Sequence, residues 1–187
     1  MIDAHYASRR SGPKVMTELF RLFTQIALLR RGPQDVPASA VLLTLTIGAY
    51  FLVNTAVEVA LPPAAGPWAA QLLLDVGAKV VWYVVLLKLL GKSERILQTL
   101  TALFAIQTIV SPVLDAAEYL VRRFQQDSLW QLPVGLLVLA LIIWFIAANG
   151  HIIKAALEWS SPASVGMAIL QIFVGDLLKL AFFPIKP

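Results

Sequence analysis

The chain has 187 residues, 59% of them hydrophobic and 14% charged, with a mean hydropathy of +0.78 and a formal net charge of +4. Soluble domains carry about 25% charged residues and fewer than half apolar ones, so this composition points to a polytopic membrane protein. The lack of cysteine excludes disulfides, iron–sulfur clusters, c-type haem attachment and thiol catalysis; the positive charge sits in loops beside apolar runs, which suits lipid headgroups and not nucleic acid.

Residues 1–14 are polar and read as a flexible cytoplasmic tail. They lack an apolar h-region and a small-residue cleavage site, so a removable signal peptide is not expected. In residues 15–31, Val15, Leu19, Phe20, Phe23, Ile26 and Ala27 recur at helical spacing, with Glu18, Arg21, Arg30 and Arg31 elsewhere or at the end. The pattern predicts an amphipathic helix lying in the membrane interface, where Arg21, Arg30 and Arg31 would meet lipid headgroups. A helix packed beneath the membrane bundle is the alternative.

Gly32-Pro33 ends that helix. Residues 38–187 then read as a membrane domain of five spans, the first long enough for about 30 Å of hydrocarbon. The first runs from about Ala38 to Leu61, followed by the uncharged turn PPAAGP; the second is Ala69–Leu90. The third runs from Ile96 to about Leu114, with DAAEYLVRRFQQDSLWQLP as an exposed helical extension. The fourth, Leu132 to about Ala148, continues into NGHIIKAALEW as an interfacial helix, and the fifth runs from Ser164 to about Phe183. Span four, free of charge, could face lipid all round. Span two, with Ala70, Gly77 and Ala78, is expected at the bundle centre.

Five spans put the termini on opposite sides. Ten basic residues (Arg9, Arg10, Lys14, Arg21, Arg30, Arg31, Lys88, Lys92, Arg95 and Lys154) fall on the N-terminal side against three (Arg122, Arg123 and Lys186) on the other. The expectation is a bacterial inner membrane with the N-terminus cytoplasmic and the C-terminus periplasmic. Trp68, Trp130 and Trp159 then lie near the two interfaces.

This layout, with ALLRRGPQDVPAS (Ala27–Ser39) and ANGHIIKAALEWSSPASVG (Ala148–Gly166), resembles small bacterial inner-membrane proteins of Yip1-type architecture. The resemblance implies an all-α fold of five transmembrane helices preceded by an amphipathic segment. It carries no catalytic residue. Eukaryotic members of the wider family resemble trafficking factors with a much longer cytosolic domain, so their partners are not implied here.

The informative residues are polar ones at membrane depth, where each charge costs on the order of 3 kcal/mol. Asp75 and Lys79 are four apart and Asp176 and Lys179 three apart, so each pair shares a helix face. At 1.5 Å per residue, Asp75 and Asp176 both lie roughly 10 Å below the outer surface. Asn54, Gln107 and, slightly shallower, Glu58 join them in one polar layer. Three readings follow: satisfied ion pairs that fix packing, a surface for a partner's transmembrane helix, or a relay or ligand site. Spacing alone does not decide whether Asp75 pairs with Lys79 or with Lys179.

His5 and His151 are too few and too separated for haem or zinc, and no GxSxG, HExxH, Walker A or GxGxxG pattern occurs. His151 with Asn149 reads as a helix-end feature, and Ser160, Ser161 and Ser164 as a turn and cap. The expectation is a non-enzymatic, cofactor-free membrane protein acting by association with lipids, a protein partner or copies of itself. A small transporter or channel built on the polar layer is the alternative, and lipid binding by residues 15–31 another.

Overall fold

A computed structural model describes residues 12–61, 67–124 and 128–184, which are helical with no strand among them. The elements are α1 (Gly12–Ala27), α2 (Ala40–Ala60), α3 (Trp68–Leu89), α4 (Ile96–Arg123), α5 (Ser128–Leu157) and α6 (Ser161–Phe182), with 3-10 turns at Pro33–Asp35 and Ser93–Arg95. Residues 1–11, most of the PPAAGP turn and Lys186 lie outside the described residues.

Local chemistry sets the boundaries. Asp35 Oδ2 accepts from the Gly32 N–H at 3.1 Å, and the Ser39 hydroxyl accepts from the Leu42 N–H at 3.3 Å to cap α2. Gly91 takes the left-handed conformation (φ +69°) that closes α3, with the Lys92 N–H reaching back to the Leu87 carbonyl at 2.8 Å.

Four segments are long and apolar enough to cross a membrane: Ala40–Ala60, Ser93–Arg123, Leu129–Leu157 and Ser161–Phe182. Helix α3 has comparable length, 22 residues, and carries Asp75, Lys79 and Lys88.

The architecture departs from the sequence reading in three respects. First, the helical extension DAAEYLVRR continues α4 unbroken through Pro112 to Arg123 and is not exposed all round, since Ala117 is buried. Second, α5 is one helix of 30 residues. Only its first half is widely exposed, at Leu132, Leu136 and Leu139; Ala148, Asn149, Ile152 and Ile153 are buried. Third, the centre belongs to α4 and not to α3. Thr99 to Gln107 are buried without interruption, and α4 packs against α1, α2, α3 and α5. Its small residues Thr99, Thr101, Ala102 and Ala105 let neighbours approach from every side. At Gly77 of α3, by contrast, an added Cβ would meet nothing within 4 Å.

The tight crossing lies elsewhere. A Cβ at Gly150 of α5 would come within 3.0 Å of Val165 Cγ2 and 3.3 Å of Val165 Cα on α6. The contacts of the linkers and helix ends define two ends of the bundle. At one end the α1–α2 linker is stitched down: Trp144 Nε1 donates to the Ala27 carbonyl (3.1 Å), His151 Nε2 to the Arg31 carbonyl (2.9 Å), and Gln98 Nε2 to the Val36 carbonyl (2.9 Å). Ile26, Ala27 and Val36 join the apolar core there, while Phe20, Leu28 and Leu29 are exposed. Helix α1 is thus packed on the bundle by its C-terminal turn.

The same end carries a surface ion cluster. Glu158 accepts from Lys92 Nζ at 2.7 Å and Arg95 Nη2 at 2.6 Å, while Arg95 Nη1 caps the Ala155 and Ala156 carbonyls. Hydrogen bonds from Lys92 and then Arg95 lower the Glu158 carboxyl to a pKa of about 2. Ser164 Oγ bonds back to the Ser160 carbonyl at 3.0 Å, and Lys154 Nζ reaches Ser161 Oγ at 2.9 Å.

Candidate functional site: a polar chamber at one end of the bundle

The opposite end opens into a polar cavity of about 330 Å³ between α2, α3 and α4, with Phe145 of α5 and Lys179 of α6 completing its wall. Helix α4 supplies the longest stripe. Gln107, Ser111, Asp115, Glu118 and Arg122 follow one another at four- and three-residue intervals, so they share one face. Helix α2 adds Tyr50, Asn54 and Glu58 by the same spacing, and α3 adds Trp68, Gln71, Asp75 and Lys79.

At the deep end, one carboxylate gathers three donors from three helices. Asp75 Oδ2 accepts from Lys79 Nζ, one turn along α3, and from the Tyr50 hydroxyl of α2 at 3.1 Å. Asp75 Oδ1 meets Lys179 Nζ of α6 at 3.3 Å. Lys79 also donates to Gln107 Oε1 at 2.9 Å and lies 5.7 Å from the centre of the Tyr50 ring. The side chains of Asp75 and Lys79 are each only 11% exposed. Such a cluster is stable away from water only because each charge meets an opposite charge and further hydrogen bonds. So Asp75 pairs with both lysines.

Directly below this floor lies an apolar layer. Phe104, whose ring packs 5.7 Å from that of Tyr50, lies with Leu87, Leu100, Leu103 and Ile106 in the core. Toward the mouth, Glu118 and Arg122 pair at 3.5 Å on the surface.

Of the seven residues expected in one layer, six line this chamber: Asn54, Glu58, Asp75, Lys79, Gln107 and Lys179. Asn54 is tied to its own helix by a bond to the Tyr50 carbonyl at 2.7 Å. Asp176 is not among them. It is exposed on α6 and makes no hydrogen bond or ion pair among the described residues. Three residues on an α-helix turn through about 300°, so Asp176 is displaced about 60° from Lys179 around α6 and faces out as Lys179 faces Asp75.

Sequence reasoning missed Tyr50, Ser111, Asp115, Glu118 and Arg122. For the last four the signal was the period of polar residues along α4, hidden by ending the span near Pro112; Tyr50 lies on α2, one turn before Asn54. Arg21 and Arg31 line a shallow groove with Glu18 and Asp35 between α1 and the Pro33–Asp35 turn, and Arg30 is exposed beside it. Three polar atoms of the chamber wall are buried without a hydrogen-bond partner: Glu58 Oε1, Gln107 Nε2 and Ser111 Oγ. Among the described residues no group of three His, Cys, Asp or Glu could hold a metal ion.

No protein-family model, curated protein or solved structure matches the chain.

Proposed function

We propose that the protein binds a small polar solute in this chamber, as the outward-open half of a small membrane transporter. The observation that carries the reading is a 330 Å³ polar cavity whose wall holds unpartnered polar atoms and whose floor is a charged cluster. Ion pairs that merely fixed helix packing would need no such space above them. Beyond the floor, Tyr83 OH, Thr99 Oγ1 and Asn149 Oδ1 are also buried without partners; these are groups that a rearranged bundle could connect to the other end.

The reading takes α3 as a fifth span, since Asp75 and Lys79 are turned inward and the exposed Lys88 lies in its last turn. It takes α1 as an interfacial helix with Phe20, and Leu28 and Leu29 just after the helix, toward lipid. The basic bias then puts the linker end in the cytoplasm and the chamber mouth outside, in a bacterial inner membrane. This is also the layout that the Yip1-type resemblance implies.

Solid-supported-membrane recordings on proteoliposomes test it, with amino acids, organic cations and organic anions presented in turn. Wild type is expected to give a solute-dependent charge displacement, which Asp75→Asn abolishes and Asp176→Asn leaves in place. Currents indistinguishable from empty liposomes for every solute would overturn the reading.

A second reading, association with a protein partner or another copy, is favoured by Asp176. A carboxylate facing lipid costs on the order of 3 kcal/mol at membrane depth unless a partner covers it. Crosslinking from α6 in membranes, lost in Asp176→Leu, is the corresponding test.

A further inference from the structure

The chamber is dipolar. Its floor holds hydrogen-bond donors that the fold leaves unused. Lys79 Nζ has three N–H bonds and directs two of them at Asp75 and Gln107 Oε1. Lys179 Nζ directs one at Asp75 Oδ1. Gln107 is 2% exposed, and because Lys79 fixes its oxygen, the group without a partner is its Nε2 donor.

One to two turns nearer the mouth, the wall offers acceptors and, among the described residues, no free cation. Glu58 of α2 and Asp115 of α4 both line the cavity, and neither makes an ion pair or hydrogen bond among the described residues. Glu58 Oε1 is buried. Ser111 Oγ lies between the two layers and can donate or accept. Arg122, the cation at this level, is paired with Glu118 at 3.5 Å.

Donors innermost and carboxylates above them match a molecule with an anionic group at one end and an ammonium at the other. Gln107 and Asp115 are eight residues apart, about 12 Å along α4 before side-chain reach shortens it. The two charges of the ligand therefore lie several ångströms apart. We propose that the chamber binds a small zwitterion, its anionic group on Lys79, Lys179 and Gln107 and its ammonium between Glu58 and Asp115. The assignment rests on the solute-binding reading above. An aminoethyl phosphate presents this chemistry either as a free solute or as a lipid headgroup.

The chain has no cysteine, so Leu114→Cys on the chamber wall reports occupancy through its rate of reaction with a membrane-impermeant maleimide. In phosphatidylglycerol nanodiscs, phosphoethanolamine or 4-aminobutyrate is expected to slow labelling about tenfold at roughly ten times its Kd. Ethanolamine and methyl phosphate at the same concentration have little effect. Glu58→Gln and Asp115→Asn each remove the protection, measured against each variant's own unliganded rate, while eluting as the same monodisperse species as wild type, which shows that they fold. Slow labelling in phosphatidylethanolamine nanodiscs without added solute assigns the lipid source; protection by the free compounds alone assigns the soluble one. Equal protection by the half-molecules, or protection that survives in both carboxylate variants, overturns the proposal. So does a cysteine that labels and is slowed by neither zwitterion in either form; the chamber then stands and its ligand class falls. A cysteine unreactive from both sides removes the chamber reading itself.

Discussion

Asp75 ties three helices together, because Tyr50, Lys79 and Lys179 all converge on its carboxylate. Removing one member of a buried pair strands the others, which costs about 3 kcal/mol, whereas replacing both charges with apolar groups of similar volume is close to neutral. Asp75→Ala is therefore expected to lower unfolding stability in SDS titration by about 3 kcal/mol. Lys79→Met alone has a similar effect, and Asp75→Leu with Lys79→Met recovers most of the loss. A double variant no better than the single ones would show that the charges are not coupled.

Glu158 makes the opposite kind of prediction, since it is exposed and its pairs are screened by salt. Its folded pKa is about 2, below the usual carboxylate value. Its pairing with Lys92 and Arg95 therefore contributes above the unfolded pKa and is lost as pH falls through about 2. The carboxyl carbon of Glu158 should titrate near that pH by NMR in low salt, and move toward the ordinary range in Lys92→Gln.

The sequence shows the Asp75–Lys79 pair because both partners lie on one helix at the right spacing. It does not show Lys179 as the third member. That contact depends on how α6 is rotated against α3, and the nearer acid on its own helix, Asp176, looks like the natural partner.

At the scale of elements, α4 organises the bundle, and the reason is again only partly legible. Its polar stripe from Gln107 to Arg122 is written at helical period, but a search for apolar spans stops near Pro112. Proline removes one N–H, that to the Thr108 carbonyl, and a helix packed on several sides can tolerate this. The order of the helices is readable because 20-residue apolar runs leave few alternatives; the full lengths of α4 and α5 are not. Centrality is not, because Thr99, Thr101, Ala102 and Ala105 look unremarkable until neighbours close on them.

The α5–α6 crossing is similar. Gly150 matters because Val165 backbone and side chain lie against it, whereas Gly77, the more conspicuous candidate in sequence, has open space. Gly150→Leu is expected to force the two helices apart and to destabilise the protein by about 3 kcal/mol, the upper range for overpacking; Gly77→Ala should change stability by less than about 1 kcal/mol. Thermal unfolding of the two variants side by side checks this. At the linker end, Trp144→Phe deletes the hydrogen bond to the Ala27 carbonyl, which costs about 1 kcal/mol. Faster amide exchange in the last turn of α1 and the 28–36 linker is the expected sign, with α2 to α6 unaffected.

For the whole molecule, the two ends of the bundle are built differently. One is closed by the α1–α2 linker, the Glu158 cluster and the buried run of α4. The other opens into a chamber that stops at Asp75, Lys79 and Gln107 with an apolar plug beneath. Composition alone points to a chain with helices apolar enough to cross a membrane; it leaves unstated that its polar residues form a one-sided cavity and not a uniform layer. The direct test is sided accessibility in oriented proteoliposomes. Leu114→Cys is expected to react with an impermeant maleimide only from the side of the α6 C-terminus, and Leu103→Cys, one turn below the floor, from neither side. Labelling of Leu114→Cys from the opposite side, or from no side, would contradict the account.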